Sequence, residues 1–125
     1  MEESAFSAAF CEFIRTCVPS LQAAAVLACM ARNPRQGWDP PAILSELRSS
    51  ISIDRPEIER CIEFFESRGL IRRASNGLVS LMLDDHVRTL AQAYEERPVT
   101  LVQLIYALRD DRIRSFADAF RFRKD

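Results

Sequence analysis

Residues 52 to 73 constrain this chain more than any other stretch. They read Ser52-Ile53-Asp54-Arg55-Pro56-Glu57-Ile58-Glu59-Arg60-Cys61-Ile62-Glu63-Phe64-Phe65-Glu66-Ser67-Arg68-Gly69-Leu70-Ile71-Arg72-Arg73. Asp54 is placed to cap a helix, and Glu57 lies three residues on, the spacing of a reciprocal capping box. Pro56 falls in the first turn, where its missing N–H is tolerated. Ile58, Cys61, Ile62 and Phe65 recur at helical spacing and define one buried face. Gly69 is the natural stop, free to adopt positive φ. Leu70 and Ile71 then begin a strand. Asn76-Gly77 predicts a two-residue hairpin turn, with Leu78 to Met82 returning as the second strand.

A shorter helix is expected just upstream. Asp39 caps it, Pro40-Pro41 open it, and Ile43, Leu44 and Leu47 give it an apolar side. Residues 49 to 53 connect the two helices. Residues 39 to 83 therefore read helix, turn, helix, hairpin.

That order resembles the winged helix-turn-helix, and in particular the MarR-type (multiple antibiotic resistance) bacterial regulators. The run Phe65-Glu66-Ser67-Arg68-Gly69-Leu70-Ile71-Arg72-Arg73 is similar to the end of that family's recognition helix and the start of its wing. The resemblance implies a mainly α fold with a small β-hairpin wing, flanked by N- and C-terminal helices. It places Trp38 in the short strand that precedes the second helix. It also implies a homodimer in which the terminal helices pair across a two-fold axis.

At 125 residues the chain suits one domain. The winged core is expected over residues 20–83, with flanking dimerisation helices over 4–18 and 85–123. Ser20 is placed to cap an Ala-rich helix over 21–32, the central helix of the core. Phe6, Phe10 and Phe13 form an aromatic stripe on the first flanking helix, and Phe116 and Phe120 form one on the last. A core this small does not easily absorb both, so they are the expected dimer interface. Between them, Asp84 caps a helix over 85–96, Pro98 ends it, and Thr100 caps a further apolar turn set over 101–108.

The resemblance implies double-stranded DNA as partner, with the second helix entering the major groove. Arg55 and Arg60 are the candidate base or phosphate readers. Arg72 and Arg73, with Asn76 at the tip, are the candidate wing contacts, and Arg48 and Ser52 border the turn where phosphates would lie. Of the 17 basic residues only Lys124 is not Arg. Arginine offers the fork that suits guanine edges and phosphate. Two features oppose this reading. The net charge is −1, so nothing attracts nucleic acid globally. Between Asp54 and Gly69 five acidic residues face three basic ones, a local charge of −2. A winged helix serving as a protein-binding module without DNA is the alternative.

Catalysis is not expected. The three glycines are scattered, so no phosphate-cradling loop is present. Asp84-Asp85-His86 reads as a cap and first turn. Cys11, Cys17, Cys29 and Cys61 include no C-x-x-C pair, and His86 is the single histidine, so no metal and no cofactor is called for. Buried, reduced thiols in a cytosol are the expectation. The apolar stretch 23–31 is too short to span a membrane, and Glu2 and Glu3 do not make a basic leader. A cytoplasmic location is expected.

Overall fold

The computed structural model describes residues 6–33, 36–82 and 84–108. Among these residues the chain forms six helices and one two-stranded antiparallel sheet. In order they are α1 (Ala8–Cys17), α2 (Leu21–Arg32), α3 (Pro40–Leu47), α4 (Arg55–Ser67), β1 (Ile71–Arg73), β2 (Val79–Leu81), α5 (Asp85–Glu96) and α6 (Pro98–Leu108). The final helix expected beyond residue 108, with Phe116 and Phe120, lies outside the described residues.

Side-chain caps set most helix starts. Ser7, Ser20, Asp39 and Asp84 each accept a hydrogen bond from the backbone N–H three residues on, at 2.9 to 3.1 Å. This satisfies donors that a helix leaves orphaned at its first turn. On α4 the capping box is complete. The Glu57 N–H donates to Asp54 at 3.0 Å, and the Asp54 N–H donates to Glu57 Oε1 at 3.0 Å. Gly69, at φ 77°, ends α4 as expected. The Leu70 N–H reaches back to the Phe65 carbonyl (2.9 Å) and the Gly69 N–H to that of Glu66 (3.1 Å), a Schellman closure.

Two boundaries differ from the sequence expectation. The helix expected to start after Thr100 begins one turn earlier, at Pro98. Proline costs little at the first helical position, and Arg97 alone (φ −140°, ψ 57°) separates α5 from α6. The hairpin turn is also longer than two residues. The strands pair as Ile71 with Leu81, Arg72 with Ser80 and Arg73 with Val79, leaving residues 74–78 as the connection. The Ala74 N–H donates to the Leu78 carbonyl (2.8 Å) and the Gly77 N–H to that of Ala74 (2.9 Å). Only Gly77 has positive φ, 89°. A two-residue Asn-Gly turn would need positive φ at both residues, so this is instead a three-residue loop with glycine at the bulge.

Trp38 extends the sheet on its other side. It bridges Val79 through two hydrogen bonds of 2.7 and 2.9 Å. Its indole lies in the core, and its Nε1 has no hydrogen-bond partner among the described residues.

The core is a single cluster centred on α2. Residues Ala23 to Met30 are buried in unbroken succession, so this helix has no solvent face along that stretch. Small side chains let its neighbours approach closely. Its most extensive packing is on α5, through Val87, Leu90 and Ala93. Thus α5, expected as a flanking dimerisation helix, contributes to the same core as residues 20–83. So do Phe10, Phe13 and Ile14 of α1 and Leu101 and Ile105 of α6.

Candidate functional site

The outward side of α4, with the hairpin beside it, gathers most of the polar residues singled out above. Ile58, Ile62 and Phe65 face inward and are buried. That rotation leaves Arg55, Glu59, Arg60, Glu63, Glu66 and Ser67 exposed.

These side chains fall into two groups. Arg55, Glu59 and Glu66 lie on the flank of α4 nearest the hairpin, at helical spacings that superpose them. The Arg55 Nε donates to Glu59 Oε2 at 3.1 Å. Arg73, on β1, donates from Nη2 to Glu66 Oε1 at 3.0 Å and from Nη1 to the Gly77 carbonyl at 3.4 Å. Its guanidinium therefore ties the hairpin to α4. A shallow cleft of about 230 Å³ opens here, lined by Pro40, Glu59, Ile62, Glu63 and Arg73.

The second group is free of such pairing. Arg48 ends α3, Arg60 lies on the outward side of α4 opposite its buried residues, and Arg72 stands opposite Ser80 on β1. All three are exposed, and among the described residues none has a carboxylate within 4.0 Å. Ser52 is exposed in the connection before α4. Asn76 is exposed at the hairpin tip, and its Oδ1 accepts from the Leu78 N–H at 3.0 Å, which braces the turn.

Two residues not singled out from sequence belong to this face. Glu66 holds Arg73 across a separation of seven residues, and no helical spacing signals a contact between helix and strand. Arg68 lies 5.3 Å from the centre of the Phe64 ring, a cation–π contact at the end of α4.

Compared with protein-family models, with curated proteins and with solved structures, the chain matches none.

The aromatic stripe of α1 is placed differently from expectation. Phe10 and Phe13, assigned to a dimer interface, are 2% and 8% exposed within their own chain. The Phe13 ring stacks on His86 of α5 at 5.3 Å between centroids, and Phe10 lies 6.3 Å from the same ring. Phe6 is half-buried beneath Arg97, whose guanidinium carbon lies 4.9 Å from the ring centre. The surface these side chains would offer a partner is already occupied by α5. An apolar surface remains on α6, a helix with no charged residue in the run Pro-Val-Thr-Leu-Val-Gln-Leu-Ile-Tyr-Ala-Leu. Leu101 and Ile105 are buried, whereas Val99 is 67% and Tyr106 51% exposed.

Chemistry elsewhere is sparse. Cys29 is buried, while Cys11, Cys17 and Cys61 are only half-buried, short of the expectation for all four. Burial pushes the Cys61 thiol up to about 11, with Glu57 adding to the rise and Arg60 opposing it. Burial likewise raises Cys29 to about 11, helped by Glu46 and opposed by Arg32. Both are neutral thiols near pH 7, unlike the low-pKa thiolates of redox sensors. Asp84 is used as a cap, Asp85 pairs with Arg88 at 3.0 Å, and His86 is held in its aromatic stack. Among the described residues no group of three or more His, Cys, Asp or Glu side chains is arranged to hold a metal ion. No single helix there is long and apolar enough to cross a membrane. Taken together, α1 and α2 reach that length and apolarity, but they meet at 108° and α2 is buried in the fold.

Proposed function

We propose that α2 to β2 form a winged helix-turn-helix and that the protein is a cytoplasmic, MarR-like transcriptional regulator that binds double-stranded DNA. One observation carries the reading. An amphipathic helix, α4, packs on α3 and is followed at once by a hairpin, yet its outward side is left uncovered and carries Arg60, which has no carboxylate partner among the described residues. A helix about 13 residues long and open on one side suits the major groove, and the exposed Arg48, Arg60 and Arg72 are the candidates for the backbone contacts that would fix it. The protein acts as a homodimer through the uncharged outer side of α6.

The test is a titration of a mixed-sequence duplex at rising salt. Three to five phosphate contacts give a slope of log affinity against log salt of about −3 to −5. Replacing Arg72 with Gln lowers affinity for all sequences alike and flattens that slope by about one. Absence of any salt-dependent binding refutes the proposal.

One observation favours a second reading, a protein-binding winged helix. Glu59 and Glu63 line the cleft beside α4, and both Arg55 and Arg73 are already paired with carboxylates. A mixed face of this kind suits a partner carrying its own basic side chain.

A further inference from the structure

We infer that Glu59 and Glu66 are internal stand-ins for phosphate, which occupy Arg55 and Arg73 until a duplex displaces them. This inference rests on the DNA-binding reading above. The two carboxylates lie on one flank of α4, and each accepts from a guanidinium on the candidate DNA face, at 3.1 and 3.0 Å. A phosphate oxygen would accept the same N–H groups with the same charge. Both pairs are open to solvent, with side-chain exposures of 58% and 50% for Arg55–Glu59 and 44% and 38% for Arg73–Glu66. A polyanion can therefore reach them. Exposed pairs of this kind hold their partners only severalfold over the open state, so exchange is feasible.

The consequence is a graded response to the duplex. In the free protein Arg55 and Arg73 attract DNA little, because each is neutralised by its neighbour. Encounter is left to Arg48, Arg60 and Arg72. Once those contacts bring phosphates close, the duplex replaces Glu59 and Glu66, and the freed carboxylates take up solvent cations. Binding to arbitrary DNA is thereby held down, while a site that seats the whole helix gains all five arginines. Arg73 also links α4 to the hairpin, so its transfer to phosphate gives up that one link while Ile71, Val79 and Leu81 keep the hairpin seated in the core.

The test compares two double variants on the full chain. One carries Glu59→Gln and Glu66→Gln. The other carries Glu12→Gln and Glu95→Gln, which break the exposed pairs with Arg15 on α1 and with Arg32 between α2 and α5. Both change the net charge equally. Affinity for a mixed-sequence duplex is measured at low and at physiological salt. The first variant is expected to bind about tenfold tighter than wild type at low salt, with the gain shrinking as salt rises. The second is expected to gain less than about twofold. Equal gains in the two variants, or no gain in the first while wild type binds, overturn the inference and leave the DNA reading standing. Failure of wild type and of both variants to bind any duplex removes the DNA reading and the inference with it.

Discussion

Replacing Phe65 and its neighbour Phe64, one at a time, tests the rotation of α4 on which the candidate site depends. Phe65 is fully buried, whereas Phe64 is half-buried at the edge of the core and carries Arg68 over its ring. Truncating a buried Phe to Ala costs about 3–5 kcal/mol, from lost transfer energy plus the cavity left behind. A domain of this size is stable by about 5–15 kcal/mol, so Phe65→Ala removes a large part of the total. The melting temperature is expected to fall by roughly 10–20 °C. Phe64→Ala loses part of a ring's burial and a cation–π contact of about 0.5–1 kcal/mol, for a total near 1–2 kcal/mol. Urea unfolding followed by circular dichroism measures both, with m-values checked for equality. If Phe65→Ala proves too unstable to handle, Phe65→Leu keeps the volume partly filled and should still cost more than about 1 kcal/mol. Equal costs at the two positions, or a larger cost at 64, would mean that α4 is rotated and that the flank carrying Arg55, Glu59 and Glu66 does not face the hairpin.

Other expectations follow from the same structure. Asp54→Ala removes one arm of the capping box and should cost about 1 kcal/mol in urea unfolding, with Asp54→Asn recovering most of it. Thermal stability should decline above about pH 9: Cys29 and Cys61 keep their protons to about 11 when folded but ionise near 9.0 when unfolded, so the unfolded chain sheds protons first across that interval. The raised pKa of Tyr94, due first to burial, acts in the same direction, and melting curves at pH 7.5 and 10 measure the combined fall. Tyr106→Glu places a charge on the uncharged outer side of α6 and should shift sedimentation from dimer to monomer without unfolding the chain; a monomeric wild type at high micromolar concentration removes the homodimer proposal.

What could be read from sequence was local. Asp39, Asp54 and Asp84 cap as expected because a cap needs only a side chain and an N–H three residues away. Gly69 stops α4 through its own positive φ, an equally local matter. The ion pair Arg55–Glu59 follows from i,i+4 spacing. Where partners come from different elements, reading fails. The Arg73–Glu66 pair joins a strand to a helix. The aromatic side of α1 signals burial but not on what, and its position was settled by α5, about 70 residues along the chain. Asn-Gly marks a turn, yet the same dipeptide fits two turn types, and the pairing of Ala74 with Leu78 selects between them.

Enclosure of α2 sets an order on how this chain can be made. The element it packs on most extensively, α5, is linked to it by Arg32 and Glu95, 63 residues apart. A nascent chain that has emerged only as far as the hairpin holds helix caps and strand register but leaves one side of the Ala-rich, apolar stretch Ala23 to Met30 bare. Such a fragment presents the surface that chaperones bind and that promotes aggregation. The half of the molecule that carries the candidate site thus stays immature until the half that lacks it has been synthesised.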